Sequence, residues 1–585
     1  MELDVKGAVA HQMRRGPLAR TCLVFCLLVV ALCADGAGAV TASKPSNPLR
    51  HQLVYVRFNL AQDSHVDEFR AIAERAAQHG YTGIVFAGSF DRIDLRDAGY
   101  FDRLGAVKEI CENENLELIP LMFSAGYAGG ILAHNPNLAA GIPVTNVPFA
   151  VNGHSVRLIS DPKTRFAMTD SERQKNNRMP DISFHDKPGT VTFVDESEHH
   201  GGSVSLRFEN FDKSKDGKGR LMQKLDVTPF RCYRVSLWVK TRNLERSNRF
   251  QVQVLTADER VLMMWSPGLA ASQGWTEVST TFNSLDNEKV NLWVGIWRGR
   301  AGTFWVDDLS VEEVAFNNVV RRRGTPLIVR SGSSDEVYVE GEDYEFQPGD
   351  FLTYTRVGRQ PNLRILPGGR INDGDQLLVD YFQALSLKRP GGQTSVCMSE
   401  PETYEIWGKI AKAVHEQLAP EFYFLSMDEV RQGGWCELCK SRGLSAAELI
   451  GACITRQTEI VRKMNPKAEI IVWSDMLDPN HNAKSNYYLF KGDFKGSWEQ
   501  IPKDLIVACW HDKVRGKSLG HFDRLGFRTM GCGYYDSRSL DNAKGWMKSL
   551  AQTRGACGIM YTTWTHDYDF LEQFGDVVAG LEPEK

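Results

Sequence analysis

Asp428 and Glu429 stand side by side at the end of a short apolar run, Phe422-Tyr-Phe-Leu-Ser-Met427. A run of that length and character reads as a strand buried on both faces. Neighbouring carboxylates repel, so one pKa rises, and the result is a protonated general acid beside an ionised partner. The structural alternative is a helix N-terminus, where the macrodipole favours acids with no chemistry attached. Gly433 and Gly434 turn the chain into a loop before helical spacing resumes at Ala446.

The elements that position this pair begin with alternating strands and helices. Strand patterns at 53–58, 82–87 and 116–123 alternate with helical spacing at 66–79 and 100–114, and Gly80 stops the first helix. Such a βαβαβ run implies a parallel sheet with right-handed crossovers. It leaves Ser124-Ala-Gly-Tyr-Ala-Gly-Gly130 as a glycine-rich loop at a strand's carboxyl end. From about 162 to 314 helical periodicity vanishes. Alternating stretches at 190–195, 203–208, 233–241, 250–255, 276–283, 290–297 and 303–311 read as a β-sandwich. Its ordering, with Val227 to Val239 in the middle, Gly274-Trp-Thr-Glu-Val278 later and Gly302-Thr-Phe-Trp-Val-Asp-Asp-Leu-Ser310 at the close, resembles jelly-roll carbohydrate-binding modules.

Strand and helix alternation returns at Tyr404, with strands at 422–427, 469–473, 505–510, 528–532 and 558–563 and helices at 404–418, 446–464 and 542–554. Three strands before the sandwich and five after it make eight. The expected fold class is therefore α/β, a (β/α)8 TIM barrel whose third βα-loop carries an inserted jelly-roll β-sandwich domain. The expected organisation is a signal peptide at 1–39, the first barrel part at 50–160 and the sandwich at 162–315. A β-rich connector at 316–390 and the second barrel part at 400–580 complete it.

Sites in such barrels lie at the carboxyl ends of the strands, so their residues are read off in order. They are Arg57 and Asn59, then Ser89 and Asp91, then Asp428 and Glu429, then Trp473 and Asp475, Trp510 and His511, Tyr534 and Asp536, and finally Trp564 and His566. Three Trp residues at strand ends with carboxylates between them describe an apolar box lined by acids. A sugar needs that box: rings against its C–H faces and carboxylates on its hydroxyls and glycosidic oxygen.

In this order the chain resembles the family 20 β-N-acetylhexosaminidases. That family has an Asp-Glu pair after barrel strand four, Trp after strands five, six and eight, and Tyr-x-Asp after strand seven. Here those positions are Asp428-Glu429, Trp473, Trp510, Trp564 and Tyr534-x-Asp536. The resemblance implies that Glu429 is the general acid and that Asp428 orients the substrate's own 2-acetamido group, whose carbonyl oxygen attacks the anomeric carbon. It implies that Tyr534 holds that oxygen, that Asp536 and Arg57 bind ring hydroxyls, and that the Trp residues wall the pocket. Asp475 and His566 are expected to bind substrate from their strand-end positions alone. Two positions depart from the family. Phe424-Leu-Ser-Met427 stands where His-x-Gly-Gly is usual, and His566 where a Trp-x-Glu ends. The expected activity is a retaining exo-β-N-acetylhexosaminidase with substrate-assisted catalysis. The alternatives are a glycosidase for a non-acetamido sugar, or a carbohydrate-binding protein without turnover.

Composition agrees with a sugar ligand and excludes others. A net charge of -4 over 585 residues offers no basic surplus for nucleic acid, while 13 Trp and 17 Tyr supply ring faces. The expected partner is an oligosaccharide, polysaccharide or glycoconjugate. Arg14, Arg15 and Arg20, the apolar run 22–34 and Ala37-Gly-Ala39 have the form of a secretory signal, so a secreted or periplasmic protein is expected. No later apolar run reaches the length of a membrane span. Beyond the leader stand nine cysteines: Cys111, Cys232, Cys397, Cys436, Cys439, Cys453, Cys509, Cys532 and Cys557. Cys436-x-x-Cys439 is half a zinc knuckle without a second pair to complete four ligands, so a local disulfide or two packed thiols is expected, with no metal and no cofactor.

Overall fold

Eight short apolar strands close into a parallel barrel, taken in chain order. They are β1 (His51–Val56), β2 (Gly83–Phe86), β3 (Glu117–Met122), β4 (Phe422–Leu425), β5 (Glu469–Trp473), β6 (Ile506–Cys509), β7 (Arg528–Tyr534) and β8 (Ala556–Thr562), and β8 pairs back with β1. This computed structural model describes residues 49–168, 176–349, 361–387 and 393–580; the expected signal peptide at 1–39 lies outside the described residues.

Alternate side chains enter the barrel. Leu53, Val85, Ile119, Phe424, Ile471, Ile506, Met530 and Met560 pack together there, so the interior is a filled core and not a pore. The opposite faces, including Val54, Ile84, Tyr423 and Val472, meet the helix layer. The helices form where apolar spacing and end signals agree. Ser64–Gln78 buries Val66, Phe69, Ile72, Ala73 and Ala76 along one stripe. Pro401–Leu418 starts on a proline and stops at the left-handed Ala419. Ala446–Met464 opens with a capping box between Ser445 and Glu448. Among the described residues no helix is long and apolar enough to cross a membrane.

Between β3 and β4 the chain builds two antiparallel units. The sandwich has one sheet of Val261–Trp265, Phe250–Thr256, Lys289–Ile296, Gly219–Asp226 and Phe184–His185. Facing it is a second sheet centred on Gln273–Asn283, Cys232–Arg242 and Thr303–Glu313. Phe208, Leu221, Val235, Val252, Phe282, Leu292 and Phe304 share its core. Three of these strands, Phe184–His185, Gly219–Asp226 and Val261–Trp265, go beyond those read from the sequence.

The second unit corrects the expected boundaries. Ile142–Asn152 and Ser155–Leu158 form a hairpin about the left-handed Gly153, and Ile142–Asn152 pairs with Gln376–Gln383. The segment 142–158 therefore belongs to a seven-stranded sheet with 328–383 and not to the first barrel part. That sheet has its own core around Val147, Phe149, Phe316, Val329, Leu363 and Val379, so the stretch read as a connector is a folded unit. Sequence separation hides this pairing, because its two halves lie on either side of the sandwich.

Candidate active site

The strands deliver their last residues to one end of the barrel, and the backbone there is strained. Ser89, Phe123, Glu429, Tyr534, Tyr535, Asp536 and His566 all adopt left-handed φ, between 47° and 65°. Each such non-glycine residue costs on the order of 1 kcal/mol or more, and such residues cluster where a site must be aimed.

Around this end lies a cavity of about 560 Å³ lined by Tyr55, Arg57, Tyr127, Asp428, Glu429, Trp473, Trp510, Tyr535 and Trp564, together with Leu121, Gln393 and Ser426. Its floor is the packed barrel interior. Trp473 stands at the top of that core, 4.6 Å from Phe424 and 6.1 Å from Trp564 between ring centroids. Trp510 stacks nearly parallel on Tyr535, at 5.5 Å and 8°. Trp564 packs against Tyr55 at 5.2 Å and edge-on to Tyr535 at 5.7 Å.

Glu429 is held from several sides. Arg431 Nη2 lies 2.7 Å from its Oε1, and the Tyr127 hydroxyl donates to its Oε2. Arg431 in turn donates to Gln393 Oε1, while Gln393 Nε2 donates to the Glu429 carbonyl at 3.1 Å. Asp428 accepts from Ser426 Oγ at 3.1 Å and lines the cavity. Burial, and then the charge of Glu429, push its carboxyl up to about 6. Asp475, fully buried, accepts from the Glu429 backbone N–H at 2.8 Å, from Asn482 Nδ2 at 3.2 Å and from Trp510 Nε1 at 3.4 Å. Burial, followed by the charge of Asp428, pushes it up to about 7.

The glycine-rich loop after β3 closes against the pair. A Cβ added at Gly126 would sit 2.2 Å from the Asp428 carbonyl oxygen and 2.9 Å from that of Glu429, so only glycine permits this approach. The buried Asp91 carboxylate fixes the loop's start by accepting from the backbone N–H groups of Phe123 and Ser124 at 2.6 and 2.8 Å.

Of the residues expected from sequence, Asp428, Glu429, Arg57, Trp473, Trp510 and Trp564 line the cavity and Asp475 underlies it. Tyr534, Asp536 and His566 do not line it. Tyr534 is fully buried in the helix layer, stacked on Tyr561 at 4.5 Å. Met530 and Cys532 face the barrel interior, so simple alternation would have sent Tyr534 inward. Its left-handed backbone breaks that alternation, and Tyr535 enters the pocket instead. Asp536 serves the loop after β8: it accepts from Thr563 Oγ1 at 2.6 Å, Thr565 Oγ1 at 3.0 Å and the Trp564 backbone N–H at 3.0 Å. His566 is exposed at the rim, 3.4 Å from Arg57 Nη2. Sequence reasoning missed Tyr127, Gln393, Arg431, Tyr535 and Tyr55. Tyr127 had a signal, being the one aromatic in the glycine-rich loop. Gln393 had none, because it reaches the site from outside the strand ends.

No family model matches the sequence, and no curated protein matches it. Among solved structures the chain is distantly similar to glycosidases and carbohydrate-binding modules. One is a rhamnosidase from Novosphingobium sp. PP1Y, at 10% identity over 90% of this chain and 58% of that one, with a TM-score of 0.35. Another is a family 20 exo-β-N-acetylglucosaminidase from Vibrio harveyi, at 14% identity over 32% of each chain, TM-score 0.24. A third is a CBM4 carbohydrate-binding module, at 16% identity over 26% of this chain and 97% of that one, TM-score 0.19. The chain spans less than two thirds of the length of either enzyme.

Proposed function

We propose that the cavity at the barrel's carboxyl end is the active site of an exported glycoside hydrolase that takes the terminal sugar of an oligosaccharide or glycoconjugate. The observation that carries this reading is the gathering of Trp473, Trp510, Trp564 and Tyr535 around Asp428 and Glu429. Ring faces suit the C–H faces of a pyranose, and paired carboxylates suit its hydroxyls and glycosidic oxygen. The filled barrel beneath gives the cavity a closed floor against which a sugar can rest. The leader-like N-terminus supports export, and the sandwich suits a role in holding larger substrates.

Two divisions of labour between the carboxylates are distinguishable. The contacts of Glu429 support the first. Paired with Arg431 and accepting from Tyr127, Glu429 is the ionised member that faces the anomeric carbon. Asp428, which keeps its proton to about pH 6, donates to the leaving oxygen. The order of the site residues along the barrel supports the second, the retaining exo-β-N-acetylhexosaminidase. There Glu429 is the acid and an ionised Asp428 accepts the N–H of the substrate's 2-acetamido group, whose carbonyl oxygen attacks the anomeric carbon. Tyr535 then takes the part expected of Tyr534 and holds that oxygen.

The pH dependence of kcat/KM separates the two, because it reports the ionisation of essential groups in the free enzyme. With Asp428 as the proton donor, kcat/KM on aryl glycosides falls as pH rises through about 6. With Asp428 as acetamido clamp it rises through the same range. A thiazoline mimic of the cyclised intermediate then inhibits only in the second case. Saturable sugar binding without cleavage of any glycoside contradicts both and leaves a binding protein.

A further inference from the structure

The Cys436-x-x-Cys439 pair has a third thiol beside it. Cys397 comes in on the segment that re-enters the barrel, with its Sγ 3.6 Å from that of Cys436 and 3.8 Å from that of Cys439. The pair itself is 3.5 Å apart, and all three residues are buried. Sulfurs bound to one zinc ion at about 2.3 Å stand about 3.8 Å from one another, along the edges of a tetrahedron. A disulfide instead draws one pair to about 2.0 Å and leaves the third thiol over. The near-equilateral triangle has no such closer pair.

The surroundings fit a metal ion as well. The Arg322 guanidinium, held by the carbonyls of Asn137 at 2.8 Å and Ala139 at 3.2 Å, sets a positive charge beside Cys397 and Cys436. Arg322 also stands 3.7 Å from Glu400. Adjoining the thiols is a cavity of about 10 Å³, walled also by Gly433 and Gly434. That is about the room one water needs.

We propose that Cys397, Cys436 and Cys439 are three ligands of a bound zinc-class ion, with one water in its fourth position. On binding, the thiol protons pass to solvent. Three thiolates on a divalent ion leave one net negative charge, which Arg322 offsets. The ion ties the start of helix Pro401–Leu418 to the loop that carries Glu429 and Arg431. The expectation of no metal failed to find this site because Cys397 lies 39 residues before Cys436, outside any knuckle spacing. The site stands independently of what the sugar cavity does.

The full-length chain, purified without chelator, is predicted to carry about one zinc per chain by elemental analysis. Cys397→Ser and Cys436→Ser lose the metal, whereas Cys557→Ser, remote from the cluster, keeps it. Should the serine variants misfold, the wild-type protein still decides the matter. Exchange of its ion for cobalt gives a thiolate-to-cobalt charge-transfer band, and a chelator strong enough to strip the ion lowers the Tm. A metal-free folded protein overturns the proposal, whether its three thiols are free or two are found as a disulfide by peptide mapping. Bound zinc that survives loss of either cysteine overturns it too.

Discussion

Around Glu429 the side chains divide into those that hold a negative charge and those that keep a proton. Arg431 and Tyr127 are of the first kind, and the buried Asp475 is of the second. That division has a consequence for stability. The folded pKa of Asp475, about 7, lies above its value in an unfolded chain. Its contribution is therefore fully present at low pH and is lost as pH rises through about 7. Asp475→Asn, which cannot ionise, should flatten the loss of stability between about pH 5 and 8 by on the order of 2–3 kcal/mol. Denaturant unfolding of both proteins across that range checks it, and parallel pH profiles would show that Asp475 is not so perturbed. The tyrosines make a second residue-scale test. Tyr535→Ala should lower kcat/KM about 3- to 10-fold by removing a stacked ring from the wall. Tyr534→Phe preserves the stack on Tyr561 and should leave kcat/KM within about twofold. The reverse pattern would return the role to Tyr534. The Asp-Glu pair and the three Trp residues were legible because each ends a strand whose apolar run is visible. The Tyr534 position was misread by one residue because three successive left-handed residues, Tyr534 to Asp536, override the two-residue period that the reading relied on.

At the scale of elements, the site depends on loops that are seated by other parts of the chain. The sandwich packs on Trp435 and Leu489, which join its core, and Arg260 donates to the carbonyls of Tyr488 at 2.5 Å and Phe490 at 3.1 Å. The Arg431 guanidinium lies 4.6 Å over the Tyr488 ring. A physical line thus runs from the sandwich through Tyr488 to the cation that holds Glu429. Excision of 162–314 should therefore lower activity on small substrates as well as on polymers, since it strips the cover from Trp435 and Leu489. Arg260→Ala is the gentler version. It should cost about 1–3 kcal/mol of stability and lower kcat more than it raises KM. Unchanged small-substrate kinetics in a folded excision variant would mean that the barrel loops hold themselves. None of this coupling is visible in sequence, because Arg260 and Tyr488 are joined by tertiary packing alone.

For the whole molecule, the barrel was legible because buried parallel strands and amphipathic helices alternate in a period that survives a long interruption. The sheet that joins 142–158 to 328–383 was not, since antiparallel partners so far apart leave no local mark. The cysteine triangle escaped for the same reason. At the end of a barrel whose interior is full lies a cavity walled by rings and holding two carboxylates. Whether this cavity cleaves glycosides is decided by turnover of a panel of aryl glycosides by wild type and Glu429→Gln. At least one glycoside should be hydrolysed by the wild type, and the near-isosteric amide should lose on the order of 10²- to 10⁴-fold in kcat/KM while keeping the wild-type fold. Equal turnover by the two proteins, or no turnover of any glycoside by the wild type, would contradict the account.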